Sequence, residues 1–140
     1  MRRGLIIVPV LILCLTACTA SVAPKSSNCG TLPKSASAAF TQLVDPSFLT
    51  TPVTSRAPKG KVVYVAAHLS DNSAPVWALV DGTSGAISTD SFVSLNDAAK
   101  AHSTAKDGTV APYGLSETDP GAVAALKCLS DASGLPTDGS

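Results

Sequence analysis

From Ser35 to Val44 the apolar residues Ala36, Ala39, Phe40, Leu43 and Val44 recur at helical spacing, which places them on one face of a short helix. Pro33 stands at its start and Asp45-Pro46 stops it. The stretch from Thr50 to Gly60 mixes Pro52, Pro58 and Gly60 with small polar residues and reads as a loop. It is followed by Lys61–Leu69, the clearest strand in the chain, where β-branched and aromatic residues dominate. Val63, Val65, Ala67 and Leu69 line one side of it, and Val62, Tyr64, Ala66 and His68 the other. Both sides are largely apolar, which predicts a central strand covered on both faces. Asp71-Asn72-Ser73 turns the chain, and Pro75–Val80 returns as the hairpin partner. After a second turn at Asp81–Gly85, Ala86–Ser88 predicts a short third strand, with Phe92-Val93 at the sheet edge.

A second helix is expected to begin at Ser94, since Ser94 and Asp97 have the spacing of a capping box. Leu95, Ala98, Ala99 and His102 then lie near one stripe. Ser103–Thr118 is polar, contains Asp107-Gly108 and Pro112-Tyr113-Gly114, and predicts a long connecting loop, a kind of segment that is often functional. Asp119-Pro120 opens a last helix, with Asp at the cap and Pro at the first helical position. Ala122, Val123, Leu126 and Leu129 form its apolar stripe, and Gly134 can end it. The expected fold is α+β, with a small antiparallel sheet of two or three strands packed with about three helices.

Ahead of all this lies a different pattern. Met1-Arg2-Arg3 is basic, Leu5 to Leu15 is almost wholly apolar, and the small residues Thr16 and Ala17 follow. This is the order of a secretory signal. A bilayer span needs roughly 20 apolar residues, so the run is too short for a permanent anchor. Leu15-Thr16-Ala17-Cys18 resembles the lipobox of bacterial lipoproteins. That resemblance implies a diacylglycerol on the Cys18 sulfur and cleavage before Cys18. Cys14 is the weaker candidate, because bulky Leu13 precedes it. Two acyl chains hold a protein on a membrane where one does not. The expected location is therefore the extracytoplasmic face of the cell membrane, by lipid anchor. Residues 1–17 read as signal peptide, 18–32 as lipidated cysteine and tether, 33–133 as one domain and 134–140 as a tail.

Without Arg2 and Arg3 the chain carries 8 basic and 10 acidic residues. That balance gives no footprint for nucleic acid, and no basic patch for anionic lipid is expected. In an oxidising compartment Cys29 and Cys128 are expected to pair. They lack a CxxC spacing or a nearby histidine that would favour a redox or metal site.

From Val63 to Leu129 the chain resembles small secreted lipoproteins of actinobacteria. The shared features are Tyr64-Val65-Ala66-Ala67, Trp77, Phe92 with Ser94–Lys100, and Cys128. The resemblance implies a common fold and no particular activity.

Little chemistry is spelled out by the residues. His68 and His102 are the only histidines, with no HxH or HExxH spacing, so no metal and no cofactor is expected. No serine falls in GxSxG, Asp81–Gly85 lacks the lysine of a phosphate loop, and Glu117 with Asp119 reads as helix-start charge. Tyr64, Trp77 and Phe92 are the candidate binding patch, although packing against the helices is the preferred reading of Tyr64 and Trp77. The expected function is a non-enzymatic accessory or interaction domain with an envelope protein as partner. The alternative is a small-ligand or lipid-binding protein with a cavity bounded by those three aromatics.

Overall fold

The computed structural model describes residues 29–44, 51–56, 61–80 and 86–133. Cys18, the turn at Asp81–Gly85 and Gly134 lie outside the described residues. The strands are β1 (Cys29–Gly30), β2 (Val53–Arg56), β3 (Val63–Ala66), β4 (Val76–Leu79), β5 (Phe92–Ser94) and β6 (Lys106–Asp107). The helices are α1 (Lys34–Leu43), α2 (Asp97–Ala101) and α3 (Pro120–Ser133). The strands form one six-stranded sheet in chain order, β1-β2-β3-β4-β5-β6. Neighbours from β1 to β5 are antiparallel, and β5 pairs with β6 in parallel. The parallel step needs a crossover, and α2 supplies it.

Side-chain alternation along the strands divides the core in two. Val65, Trp77, Leu79 and Phe92 face α1, where they bury Ala36, Ala39, Phe40 and Leu43. Tyr64, Ala66, Ala78 and Val93 point the opposite way, against Ala122, Ala125 and Leu129 of α3. The register makes this consistent across the sheet: Val65 pairs with Trp77 and Leu79 with Phe92, while Tyr64 pairs with Ala78 and Ala78 with Val93. The two apolar sides of Lys61–Leu69 thus have their physical reason: helices cover both faces of the sheet.

Several expectations are corrected. Among the described residues the sheet has six strands, where two or three were expected. β2 arises inside the stretch assigned to a loop, and β6 inside the long polar segment. Cys29 and Gly30, placed with the tether, form β1 against Ser55 and Thr54. Ala86–Ser88 carries no strand. A 3-10 turn at Thr89–Ser91 precedes β5, which is interior between β4 and β6 and buries Phe92 and Val93 completely.

The second helix begins later than Ser94. Ser94 is the last residue of β5, and its hydroxyl donates to the Lys106 carbonyl at 3.1 Å, tying β5 to β6. The cap is Asn96, whose Oδ1 accepts from the Ala99 amide at 3.0 Å. Both residues make good caps, and strand pairing as far as Ser94 moved the helix start along by two. Leu95 consequently joins the α3 side of the core rather than the helix stripe.

The segment 103–118 is ordered by hydrogen bonds within itself and to α1 and β5. The Gly108 amide donates to Ser94, the Leu115 amide to Gly108 and the Thr104 amide to Leu43. Tyr113 and Leu115 fold back onto the α3 side of the core. There Gly108 lies so close that an added Cβ would sit 2.5 Å from Val93 Cγ2 and 2.9 Å from Leu95 Cδ2. A glycine at this position is what lets this segment cover β5.

Candidate functional site

Of the residues that the sequence singles out, Cys29 and Cys128 are joined. Their disulfide has Cα atoms 5.6 Å apart and a sequence separation of 99. Cys29 lies on the edge strand and Cys128 in α3, so the bond fastens the first strand to the last helix. Chain-entropy reasoning gives roughly 4–5 kcal/mol for a loop of this length.

The three candidate aromatics are not brought together. Trp77 and Phe92 are wholly buried on the α1 side, and Tyr64 is buried on the α3 side. Phe40 of α1 fills the space beside the first two, edge-on to Trp77 with ring centroids 4.9 Å apart and tilted against Phe92 at 5.3 Å. Such pairs contribute about 0.5–1.5 kcal/mol beyond their buried area. The Trp77 indole nitrogen donates to Ser103 Oγ at 3.0 Å, which donates onward to the Ala99 carbonyl at 2.6 Å. The indole is thereby satisfied inside the core.

Tyr64 has a different partner. Its hydroxyl donates to Asp119 Oδ2 at 3.0 Å, and the Ser116 amide donates to the same oxygen at 3.0 Å. Asp119 stands where sequence places it, immediately before α3, but its carboxylate links the preceding turn to the sheet. Burial, followed by the hydrogen bond and charge of Asp119, pushes the Tyr64 hydroxyl up to about 12. The ring also explains Gly121: a Cβ there would stand 2.4 Å from Tyr64 Cδ2.

The remaining charged groups meet in pairs near the surface. Lys100 reaches Asp107 at 3.0 Å, and Thr109 donates to Asp107 through both its hydroxyl and its amide. Those Thr109 bonds, with Lys100 behind them, lower the Asp107 carboxyl to about 2. His102 Nε2 lies 3.3 Å from Asp71 Oδ2. The Asp71 carboxyl is held below its ordinary value first by hydrogen bonds from Ser73 and then by His102. Lys106 pairs with Asp90 at 3.0 Å, on the rim of a cleft of about 190 Å³ lined by Leu43, Thr89, Phe92, Thr104 and Ala105. That volume is below the ~300 Å³ of typical small-molecule sites. No group of three or more His, Cys, Asp or Glu that could hold a metal occurs among the described residues. Nor, among them, is any helix long and apolar enough to cross a membrane.

Asn96 and Ser103 carry structural roles that the sequence reading did not single out, whereas Phe40 was read as core-facing on α1 and lies in the core. Asn96 gave a cap signal two residues beyond the one chosen, and Ser103 gave none. No family model, curated protein or solved structure matches the chain.

Proposed function

We propose that the chain is a bacterial lipoprotein. Its Cys18 carries diacylglycerol, and its folded part is a non-enzymatic interaction domain at the extracytoplasmic face of the cell membrane. The observation that carries this reading is the N-terminal order of basic residues, short apolar run and Leu15-Thr16-Ala17-Cys18. The Cys29–Cys128 disulfide supports it, because such bonds persist in exported proteins. Support for an interaction role comes from how the polar side chains are used. Asn96, Ser94, Ser103 and Asp119 are spent on caps, turns and strand contacts. The ligand-binding alternative draws little on the aromatics proposed for it, since Trp77 packs against Phe40, Tyr64 faces the other layer, and Phe92 alone of the three lines the small cleft.

Intact mass of the membrane-extracted protein, with and without reduction before alkylation, tests the proposal. The expected mass is that of residues 18–140 plus diacylglycerol, with Cys29 and Cys128 alkylated only after reduction. An unlipidated Cys18 would end the lipoprotein reading. Affinity capture of the detergent-solubilised protein should then recover one specific envelope protein, and repeated recovery of nothing above background would count against an interaction role.

A further inference from the structure

The two ends of the disulfide are buried very differently. Cys29 is exposed on the two-residue edge strand β1, whereas Cys128 on α3 is only 3% exposed. Thiol–disulfide exchange proceeds by attack of a thiolate on one sulfur while the other departs, and access decides which sulfur is taken. An incoming thiolate can reach Cys29 and is kept from Cys128. Cys128 is therefore the sulfur that must leave.

A thiolate released inside a packed layer needs a hydrogen-bond donor, because burial disfavours its charge. Ser55 is placed to be that donor. It is the register partner of Cys29 on one side and of Tyr64 on the other. Cross-strand partners share a face, so Ser55 and Cys29 lie with Tyr64 on the α3 side of the sheet. α3 packs on β2 there and carries Cys128 to Cys29. Ser55 is wholly buried, and its hydroxyl has no partner while the disulfide is closed. A disulfide sulfur is a weak acceptor, whereas a hydrogen bond to a thiolate is charge-assisted and strong. Opening the bond thus supplies the acceptor that this hydroxyl lacks.

We infer that the Cys29–Cys128 bond is an exchange site for a dithiol oxidoreductase, entered at Cys29, with Cys128 leaving onto the Ser55 hydroxyl. One thiolate of the dithiol bonds to Cys29 Sγ, and the electron pair of the Cys29–Cys128 bond passes to Cys128 Sγ, which then takes up a proton. The second thiolate of the dithiol attacks its own partner's sulfur in the mixed disulfide and releases Cys29 as a thiolate. The domain's disulfide is reduced to two thiols, and the dithiol is oxidised to a disulfide. Run backwards, the same two steps install the bond, so Cys29 is also where an oxidising partner engages the reduced chain. The inference goes beyond the lipoprotein reading and needs no lipid on Cys18.

Reduced glutathione is the probe, because with a single thiol it carries out the first step alone. The oxidised, membrane-extracted protein is exposed to it, quenched in acid, digested with pepsin and read peptide by peptide by mass spectrometry. Glutathione should appear on Cys29, with Cys128 as the free thiol. Glutathione on Cys128, or evenly on both, would overturn the inference, and so would a bond that resists exchange until denaturant is added. Ser55→Ala should slow the exchange about ten-fold, the effect of one hydrogen bond to a charged group, while the oxidised protein keeps its stability to denaturant. In Cys29→Ser protein, adding Ser55→Ala should move the titration of the Cys128 thiol, followed by ultraviolet absorbance, up by about one pH unit. A merely structural serine would leave that titration where it is. An unaltered exchange rate and titration in Ser55→Ala would overturn the assignment of Ser55.

Discussion

Ser55 is wholly buried on β2 between Cys29 and Tyr64, and its hydroxyl has no hydrogen-bond partner. A buried polar group without a partner costs free energy, so Ser55→Ala should leave chemical-denaturation stability unchanged or raise it by up to about 1 kcal/mol. Gly121 should behave in the opposite way. Alanine is ordinarily the better helix former by about 1 kcal/mol, yet here its methyl meets the Tyr64 ring. Gly121→Ala is therefore expected to lose about 1–3 kcal/mol, most of it recovered in a Tyr64→Ala background where the ring is gone. Tyr64 itself gives a pH signature. Its folded-state pKa lies above the ordinary value, so the stability it contributes is complete below pH 10 and is lost as pH rises towards about 12. Denaturant titrations between pH 9 and pH 12 should show that loss in the native protein and much less of it in Tyr64→Phe.

At the scale of elements, Asn96 holds three pieces together. Its Oδ1 accepts from Val76 and Ala99 and its Nδ2 donates to the Ala74 carbonyl, so one side chain caps α2 and pins it to the start of β4. Asn96→Ala should cost about 2–3 kcal/mol, more than the ~1 kcal/mol typical of a cap alone, read as a shift in the thermal midpoint. How far such elements were legible depended on what forms them. α1, β4 and the start of α3 announce themselves through apolar periodicity and Asp119-Pro120 and lie within a residue or two of expectation. β3 announces itself too, but Val63–Ala66 is two residues shorter at its start and three at its end than the expected Lys61–Leu69. β2 could not be seen that way. It is short, lies between Pro52 and Pro58, and buries Thr54 and Ser55 where an apolar alternation would be the signal. β6 is just Lys106-Asp107, held by pairing to β5 and by the Ser94 hydroxyl. Strands made by tertiary contact leave little trace in local sequence. The same holds for the candidate patch: aromatic composition cannot tell that adjacent positions on a strand face opposite layers.

The molecule as a whole has a divided core, with four buried alanines on each side: Ala36, Ala39, Ala67 and Ala99 facing α1, and Ala66, Ala78, Ala122 and Ala125 facing α3. The α1 side adds the Phe40–Trp77–Phe92 group, which the α3 side lacks. Stability should therefore lean on the disulfide, which fastens α3 to the sheet. Reduction is expected to cost up to about 4–5 kcal/mol, a large part of the 5–15 kcal/mol usual for a domain. Differential scanning calorimetry with and without reductant measures it, and reduced protein should melt much lower than oxidised protein. Phe40→Ala attacks the opposite face and should cost about 3–5 kcal/mol whether or not the disulfide is intact.

The position of that bond also decides how the protein bears load. The backbone comes into the fold at Cys29 and its last helix passes Cys128, and the two are covalently joined. Tension applied between the part of the chain before Cys29 and the part after Cys128 would run straight through the sulfurs. The sheet, α1 and α2 hang from that line as a closed loop and feel none of it. Pulled from its two ends in an optical trap, the oxidised protein should lengthen only by the residues outside Cys29–Cys128. Only after reduction should it release the length of the whole domain.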